Sequence, residues 1–203
     1  MKVALIGVTG RVGSRLLAEL LARGHVVTGI VRTAAPIEPT PALSIAIADA
    51  RDAAALAPAL VGHDAVISAS RFVSSDANAL IAASKQARVG RLLVVGGAGS
   101  LEVAPGKALV DSPGFPEAFK VEANAGRAFL AVLRAETSLD WTFLSPSADF
   151  SPGVRTGHFR LGHDALLVDS TGRSWISMED FAVALIDELE QPKHSRIRFT
   201  VGY

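Results

Sequence analysis

A doubly wound α/β sheet, mostly parallel and flanked by helices, is the fold this sequence predicts. Three observations predict it. Short apolar, β-branched runs alternate with helical repeats of leucine and alanine through the first half of the chain. Gly7, Gly10 and Gly13 fall between the first such run and the first helical repeat. Successive runs then end in small or polar residues, Arg32, Asp49, Ala69-Ser70-Arg71 and Gly96-Gly97, which a parallel sheet would gather at its carboxyl edge, where ligands of such sheets sit. A chain of 203 residues suits one domain with a sizeable core, so residues 1–203 are read as a single domain.

The bulk properties narrow the function. Twenty basic residues balance twenty acidic ones, which argues against a nucleic-acid partner or an anionic membrane surface. With no cysteine there is no disulfide, no thiolate catalysis and no cysteine-bound metal. Gly7, Thr9 and Arg11 interrupt the N-terminal apolar run, so it does not read as a signal peptide, and no stretch is long enough to span a bilayer. The expectation is a soluble cytoplasmic protein acting on a small molecule.

Residues 3–6 form the first expected strand, and Leu16, Leu17, Leu20 and Leu21 mark a helix that stops at Gly24. In the turn between them Gly7 permits a tight bend, Gly10 lets backbone approach a pyrophosphate, and Gly13 lets helix and strand pack closely. The N–H groups of the helix start would receive the phosphate charge. Gly7, Thr9, Gly10, Arg11, Val12 and Gly13 are therefore the candidate phosphate-binding residues of a dinucleotide site. Residues 25–31 give a second strand ending at Arg32. An acidic residue here would accept from a ribose 2′-OH, whereas Arg32 suits a 2′-phosphate and points to NADP(H) over NAD(H).

The three prolines of 34–41 mark an irregular connection before a strand over 43–48. Asp49 admits two readings, a turn residue or a partner of the adenine amine, with Ala50 beside it; Asp52 is the expected N-cap of an alanine-rich helix. A strand over 64–69 ends in Ala69, Ser70 and Arg71, a helix follows over 76–87, and a fifth strand spans 91–95 before Gly96 and Gly97. Residues 101–116 read as a long connection of the kind that is either a functional lid or disordered. A helix over 117–135 presents Phe119, Ala123, Gly126, Leu130 and Leu133 on one face. Residues 140–144 make a sixth strand, and 149–176 suggest short hairpins, one around Ser170-Thr171-Gly172. Ser177, with Asp180 three residues on, starts a helix whose apolar stripe is Met178, Phe181, Ala182, Leu185, Ile186 and Leu189. A last strand covers 197–201. Residues 146–180 are read as a substrate-side extension.

Gly7-Val8-Thr9-Gly10-Arg11-Val12-Gly13, Val95-Gly96-Gly97-Ala98-Gly99-Ser100-Leu101, Asp140-Trp141-Thr142-Phe143-Leu144-Ser145-Pro146 and the ending Arg198-Phe199-Thr200-Val201-Gly202-Tyr203 carry a resemblance. The chain resembles an atypical short-chain dehydrogenase/reductase of the NADH-flavin reductase family, akin to NmrA-like and biliverdin-IXβ/flavin reductase proteins. The resemblance implies a Rossmann-type fold, a bound NAD(P)(H) and, as the activity, reduction of a flavin-like acceptor serving as substrate rather than prosthetic group.

One departure matters. Typical short-chain dehydrogenases use a tyrosine and a lysine four positions later, but here the only tyrosine is Tyr203, and Pro116 stands four residues before Lys120. Carbonyl reduction by that acid is therefore not expected, whereas a flavin-like or quinone-like acceptor delocalises charge and takes its proton from solvent. Lys120 is read as a nicotinamide-ribose contact or a solvated lysine. Lys120 and Ser100 are the only, weak, candidates for catalysis, and Ser70 and Ser100 lack a triad. Phe72, Phe115, Phe119 and Phe150, with Ala98 and Pro146, could line an acceptor pocket or be plain core. His158, His163 and Asp164 lack metal-ligand spacing, and His25, His63 and His194 are expected to be solvent-exposed near element ends. The other reading is a non-catalytic, NmrA-like redox sensor that binds NADP(H) and a regulatory protein. Open apolar space walled by Arg71, Phe115 and Pro146 would favour the enzyme, and a filled pocket the sensor.

Overall fold

The computed structural model describes residues 1–203 and orders the elements as β1 (Lys2–Ile6), α1 (Arg11–Ala22), β2 (Val26–Val31), β3 (Leu43–Ile47), α2 (Ala53–Leu60), β4 (Ala65–Ser68), α3 (Ala77–Gln86) and β5 (Arg91–Val95). There follow β6 (Glu102–Ala104), β7 (Lys107–Ala108), α4 (Glu117–Ala135), β8 (Asp140–Pro146), β9 (Asp149–Ser151), β10 (Arg160–Gly162), β11 (Trp175–Ser177), α5 (Met178–Glu190) and β12 (Ile197–Gly202). Eight strands make one sheet in the order β10-β12-β8-β5-β4-β1-β2-β3. All its pairs are parallel except β10 with β12. Strand order reverses at β1, which lies between β2 and β4.

Both faces of the sheet are covered, which is why its strands read as continuous apolar runs. Along β1, Val3 and Leu5 join a core with Leu16 and Leu20 of α1 and Phe181, Leu185 and Ile186 of α5. Ala4 and Ile6 point the other way, into a core with Leu56 of α2, Leu80 of α3, Leu130 and Leu133 of α4 and Trp141 and Phe143 of β8. Each fully buried Leu, Ile or Phe contributes about 1.5–3 kcal/mol, so these layers set the stability of the fold. Helix starts follow their caps: the carboxylate of Asp52 accepts from Ala54 N and Ala55 N, that of Asp76 from Asn78 N and Ala79 N, and the Ser177 hydroxyl from Asp180 N. No helix is long and apolar enough to cross a membrane.

Three expectations need correction. Residues 101–116 are not a structureless connection: β6 and β7 pair as an antiparallel hairpin around Gly106, followed by a 3-10 turn over Leu109–Asp111. The 149–176 region does not form local hairpins. β9 pairs in parallel with β11, and β10 joins the edge of the main sheet; only the turn at 170–172 is as expected, closed by Gly172 N–H on Asp169 O. His25 is buried, not exposed: its ring nitrogens meet the N-terminal amine at 3.3 Å and Glu190 at 2.9 Å. His63 bonds Thr28 Oγ1, and His194 bonds Glu188 and stacks on Phe199. His63 and His194 are half-buried, and in each of the three a polar partner on another element satisfies the ring.

Candidate active site

The turn after β1 is built as a phosphate cradle. Gly7 has φ +81°, and an added Cβ would stand 2.9 Å from the backbone of Ala69. A Cβ on Gly13 would meet Gly7 O at 2.0 Å, so strand and helix approach as only two glycines allow. Gly10 N–H donates to Gly7 O at 2.9 Å and closes the turn. Gly10 is the N-cap of α1, and no side chain caps this helix, unlike α2, α3 and α5. Its first-turn N–H groups are thus free for an anion. These residues fit a dinucleotide diphosphate.

Gly7, Thr9 and Gly10 line a cavity of about 380 Å³ together with Ile30, Arg32, Ala50, Ala69, Ser70 and Arg71. The structure thus brings together residues from the ends of β1, β2, β3 and β4. Arg11, Val12 and Gly13 are not among the residues that line this cavity: the Arg11 side chain is exposed and that of Val12 packs against the α1–α5 core. Asp49 is also not among the residues that line it. Its carboxylate pairs with Arg51 at 2.8 Å, and hydrogen bonds from the Arg51 side chain and backbone hold it down to about 2. Ala48 and Ala50 line the cavity in its place. Asp49 is thus held within its turn by Arg51, while Arg32 lies on the cavity wall.

A second cavity, about 460 Å³, lies beside the first, and consecutive residues divide them: Arg71 lines one and Phe72 the other. Its walls include Phe72, Ala98, Phe115 and Phe119, with Gly97, Ser100 and Ala123. Phe119 is read from the sequence as either a pocket residue or plain core, and the structure puts it in the pocket lining rather than the core. It is 64 % exposed at the cavity, and Phe129 takes the core position. Two pocket candidates lie elsewhere. Pro146 is buried at the end of β8, beside β12, and Phe150 packs on Phe181 with ring centroids 4.8 Å apart. Gly96 is a packing glycine, since a Cβ there would lie 2.4 Å from the Phe143 ring. Lys120 lines neither cavity and pairs with Glu117 at 2.7 Å. Of the 146–180 stretch, only Ala148 reaches the second cavity.

Glu122 is the residue that sequence reasoning missed. It is the one charged side chain among those lining the second cavity, and Oε1 accepts the Phe72 N–H at 2.6 Å. Nothing local in the sequence marks it, because its partner is 50 positions away. Tyr203 is occupied elsewhere. Its hydroxyl donates to Asp180 Oδ2 at 2.6 Å and lies 2.8 Å from Ser177 Oγ, and burial followed by the Asp180 contact pushes its pKa up. Asp164 is engaged by Arg198 and by Arg134 rather than by His163.

Comparison with known proteins agrees with this geometry. The model of the NAD(P)H-binding family matches residues 7–192. The uncharacterized protein YwnB of Bacillus subtilis is 40% identical over 211 residues, covering 99% of this chain and 98% of that protein. A solved structure from Bacteroides thetaiotaomicron, provisionally named an epimerase, is 46% identical with a TM-score of 0.93, covering 100% of this chain and 96% of that one. A provisionally named exported protein of Burkholderia pseudomallei is 45% identical, with a TM-score of 0.91 and 100% of both chains covered. A provisionally named NADH-flavin reductase of Streptococcus pneumoniae is 36% identical with a TM-score of 0.86, covering 100% and 99%. Glycine turn, strand order and family match converge: the chain belongs to the NAD(P)H-binding family.

Proposed function

We propose that this protein is an NADPH-dependent reductase of a planar, conjugated acceptor, flavin-like or quinone-like, bound as a substrate. The observation that carries the reading is the open, aromatic-walled cavity of about 460 Å³ beside the glycine-turn cavity, with no tyrosine in its lining. An open cavity favours a second small molecule next to the nucleotide over the redox-sensor alternative. The NADH-flavin reductase named above supports the same acceptor class.

When bound, the nicotinamide nucleotide supplies the hydride. The chain's own residues bind and orient. The uncapped start of α1 and the Gly7–Gly10 turn would receive the diphosphate, and Arg32, on the same cavity wall, would pair with a 2′-phosphate and so favour NADP(H). Phe72, Phe115 and Phe119 offer flat apolar faces against which a conjugated ring stacks while water is kept out. A flavin-like or quinone-like acceptor would delocalise the charge it gains and take its proton from solvent, so no residue of the chain need act as an acid. The reading places the reaction in the cytoplasm.

The test is NADPH oxidation assayed against riboflavin, FMN and a series of quinones, with NADH in parallel. Turnover with at least one acceptor and a higher kcat/KM for NADPH is expected. Tight NADPH binding without turnover of any acceptor would favour the sensor.

A further inference from the structure

We infer that Glu122 is a positioning residue that couples the two cavities. Its effect on turnover rests on the function proposed above, while its effect on nucleotide binding rests on geometry alone. Glu122 Oε1 accepts the Phe72 N–H at 2.6 Å, Oε2 accepts the Val73 N–H at 3.4 Å, and Arg71 Nη2 lies 3.5 Å from Oε2. Three consecutive residues are thus held by one carboxylate on α4. Of these, Arg71 faces the nucleotide cavity and Phe72 walls the acceptor cavity.

The local reason is a helix end. Phe72–Ser74 form a 3-10 turn whose own side chains do not cap it; Ser74 and Ser75 hydroxyls bond Arg71 O instead. Its first N–H groups would be orphans, and Glu122 receives them from another element. One turn further along α4, Gly126 lies against the Phe72 ring, where a Cβ would come within 2.8 Å. Phe129 and Phe143 hold the same ring at centroid distances of 5.3 and 5.9 Å. Helix α4 therefore grips the crossing point twice, by a charge on its backbone and by close contact under its ring. Both Glu122 oxygens are engaged as acceptors, so the side chain holds geometry rather than delivering a proton.

The experiment compares Glu122→Ala, Glu122→Gln and Gly126→Ala for kcat, KM and the primary isotope effect with NADPH deuterated at the transferred position. Misplacement at a hydride-transfer site lowers kcat steeply, so Glu122→Ala should lose about tenfold or more with a larger isotope effect. Glu122→Gln keeps an oxygen for the Phe72 N–H and should stay within about threefold of wild-type kcat while NADPH KM rises, since the Arg71 counter-charge and the longer Val73 contact are lost but the Phe72 contact is kept. A fall as deep in Glu122→Gln as in Glu122→Ala overturns the inference, because it would make the charge itself the reacting feature. So does an unchanged isotope effect in Glu122→Ala. If Glu122→Ala does not fold, Gly126→Ala decides: it displaces the Phe72 ring with Glu122 intact and should raise the isotope effect, and no rise overturns the coupling. NADPH calorimetry separates this from the acceptor assignment. If wild type binds NADPH but reduces nothing, that assignment fails, and Glu122 is judged by binding: Arg71→Ala and Glu122→Ala should be non-additive, and additive losses overturn the inference. Absence of NADPH binding to wild type overturns both.

Discussion

The nucleotide cavity takes its floor from one short turn between adjacent elements, whereas the acceptor cavity gathers side chains from Phe72 to Ala148. The first offers backbone groups and a cation: free N–H donors at the start of α1, and Arg32. The second presents three aromatic faces with one carboxylate at its side. A backbone site should fail abruptly when one residue is wrong. An apolar site spread over many residues should fail by degrees.

Gly10→Val is the sharpest way to break that contrast. Its Cβ would stand 3.2 Å from Gly7 O at the mouth of an uncapped helix, and its methyl groups would fill space the diphosphate needs. Loss of NADPH affinity by about a hundredfold or more is expected, with the fold retained. Calorimetry on a folded variant with unchanged affinity would remove the turn from the site.

Arg32→Ala should cost NADPH about 1.5–3 kcal/mol, the worth of a charge-assisted hydrogen bond, and leave NADH nearly unchanged. Equal losses for the two nucleotides would show that Arg32 does not read the 2′-phosphate.

Anchorage of α1 can be perturbed without touching either cavity. Buried Glu19 bonds Arg155 at 2.8 Å and Arg23 at 2.7 Å, and the Arg155 hydrogen bond, opposed by burial, leads the causes that hold its carboxyl at about 2. A depressed pKa means the stabilisation is complete above the unfolded value, near 4.5, and disappears as pH falls through about 2. Glu19→Gln should therefore lower stability by about 1–3 kcal/mol at neutral pH, with the gap to wild type closing across that acid window. Melting curves against pH measure it; a gap independent of pH would show that the ion pairs contribute nothing. NADPH affinity should not change.

The same contrast decides what could be read from the sequence. The seven parallel strands of the main sheet, the α4 limits and the caps Asp52 and Ser177 were legible because each depends on neighbours a few positions away. So was the glycine turn. The acceptor cavity was half legible: Phe72, Ala98 and Phe115 belong to it, but Phe150 faces α5 and Pro146 lies buried beside β12. An aromatic side chain does not announce which cavity or core it enters. β9 and β11 were missed because strands so short pair only through long-range contacts, with residues 152–174 between them. Asp180 shows the same limit. Its spacing from Ser177 suggests a capping box, yet the carboxylate turns to Thr156, Gly157 and Tyr203.

A milder change tests the distributed half. Phe115→Ala removes one of three aromatic walls, so acceptor KM should rise by about three- to tenfold while NADPH affinity holds, because burial of one ring is shared with its neighbours. Loss of NADPH binding in this variant would mean the two cavities are not separable.

The smallest effect is expected where a typical short-chain dehydrogenase would show its largest. Lys120 lies on the outer side of α4, paired with Glu117 and lining neither cavity. No tyrosine precedes it by four residues, and the only phenol is bonded to Asp180 and Ser177 outside the cavity. Lys120→Ala should therefore change kcat and NADPH KM by no more than about twofold, as for a solvated helix lysine. Ser100→Ala should behave alike: its hydroxyl has Arg198 at 3.4 Å and no base to activate it. The measurement is kcat against pH for wild type and both variants with a flavin acceptor. Hydride transfer to an acceptor that delocalises its own charge gives a nearly flat profile near neutrality, whereas a protein acid would impose a fall as it deprotonates. A thousandfold loss of kcat in either variant, together with a single ionisation in the wild-type profile, would show that a protein acid is needed after all, and that the acceptor cavity is chemical rather than purely geometric.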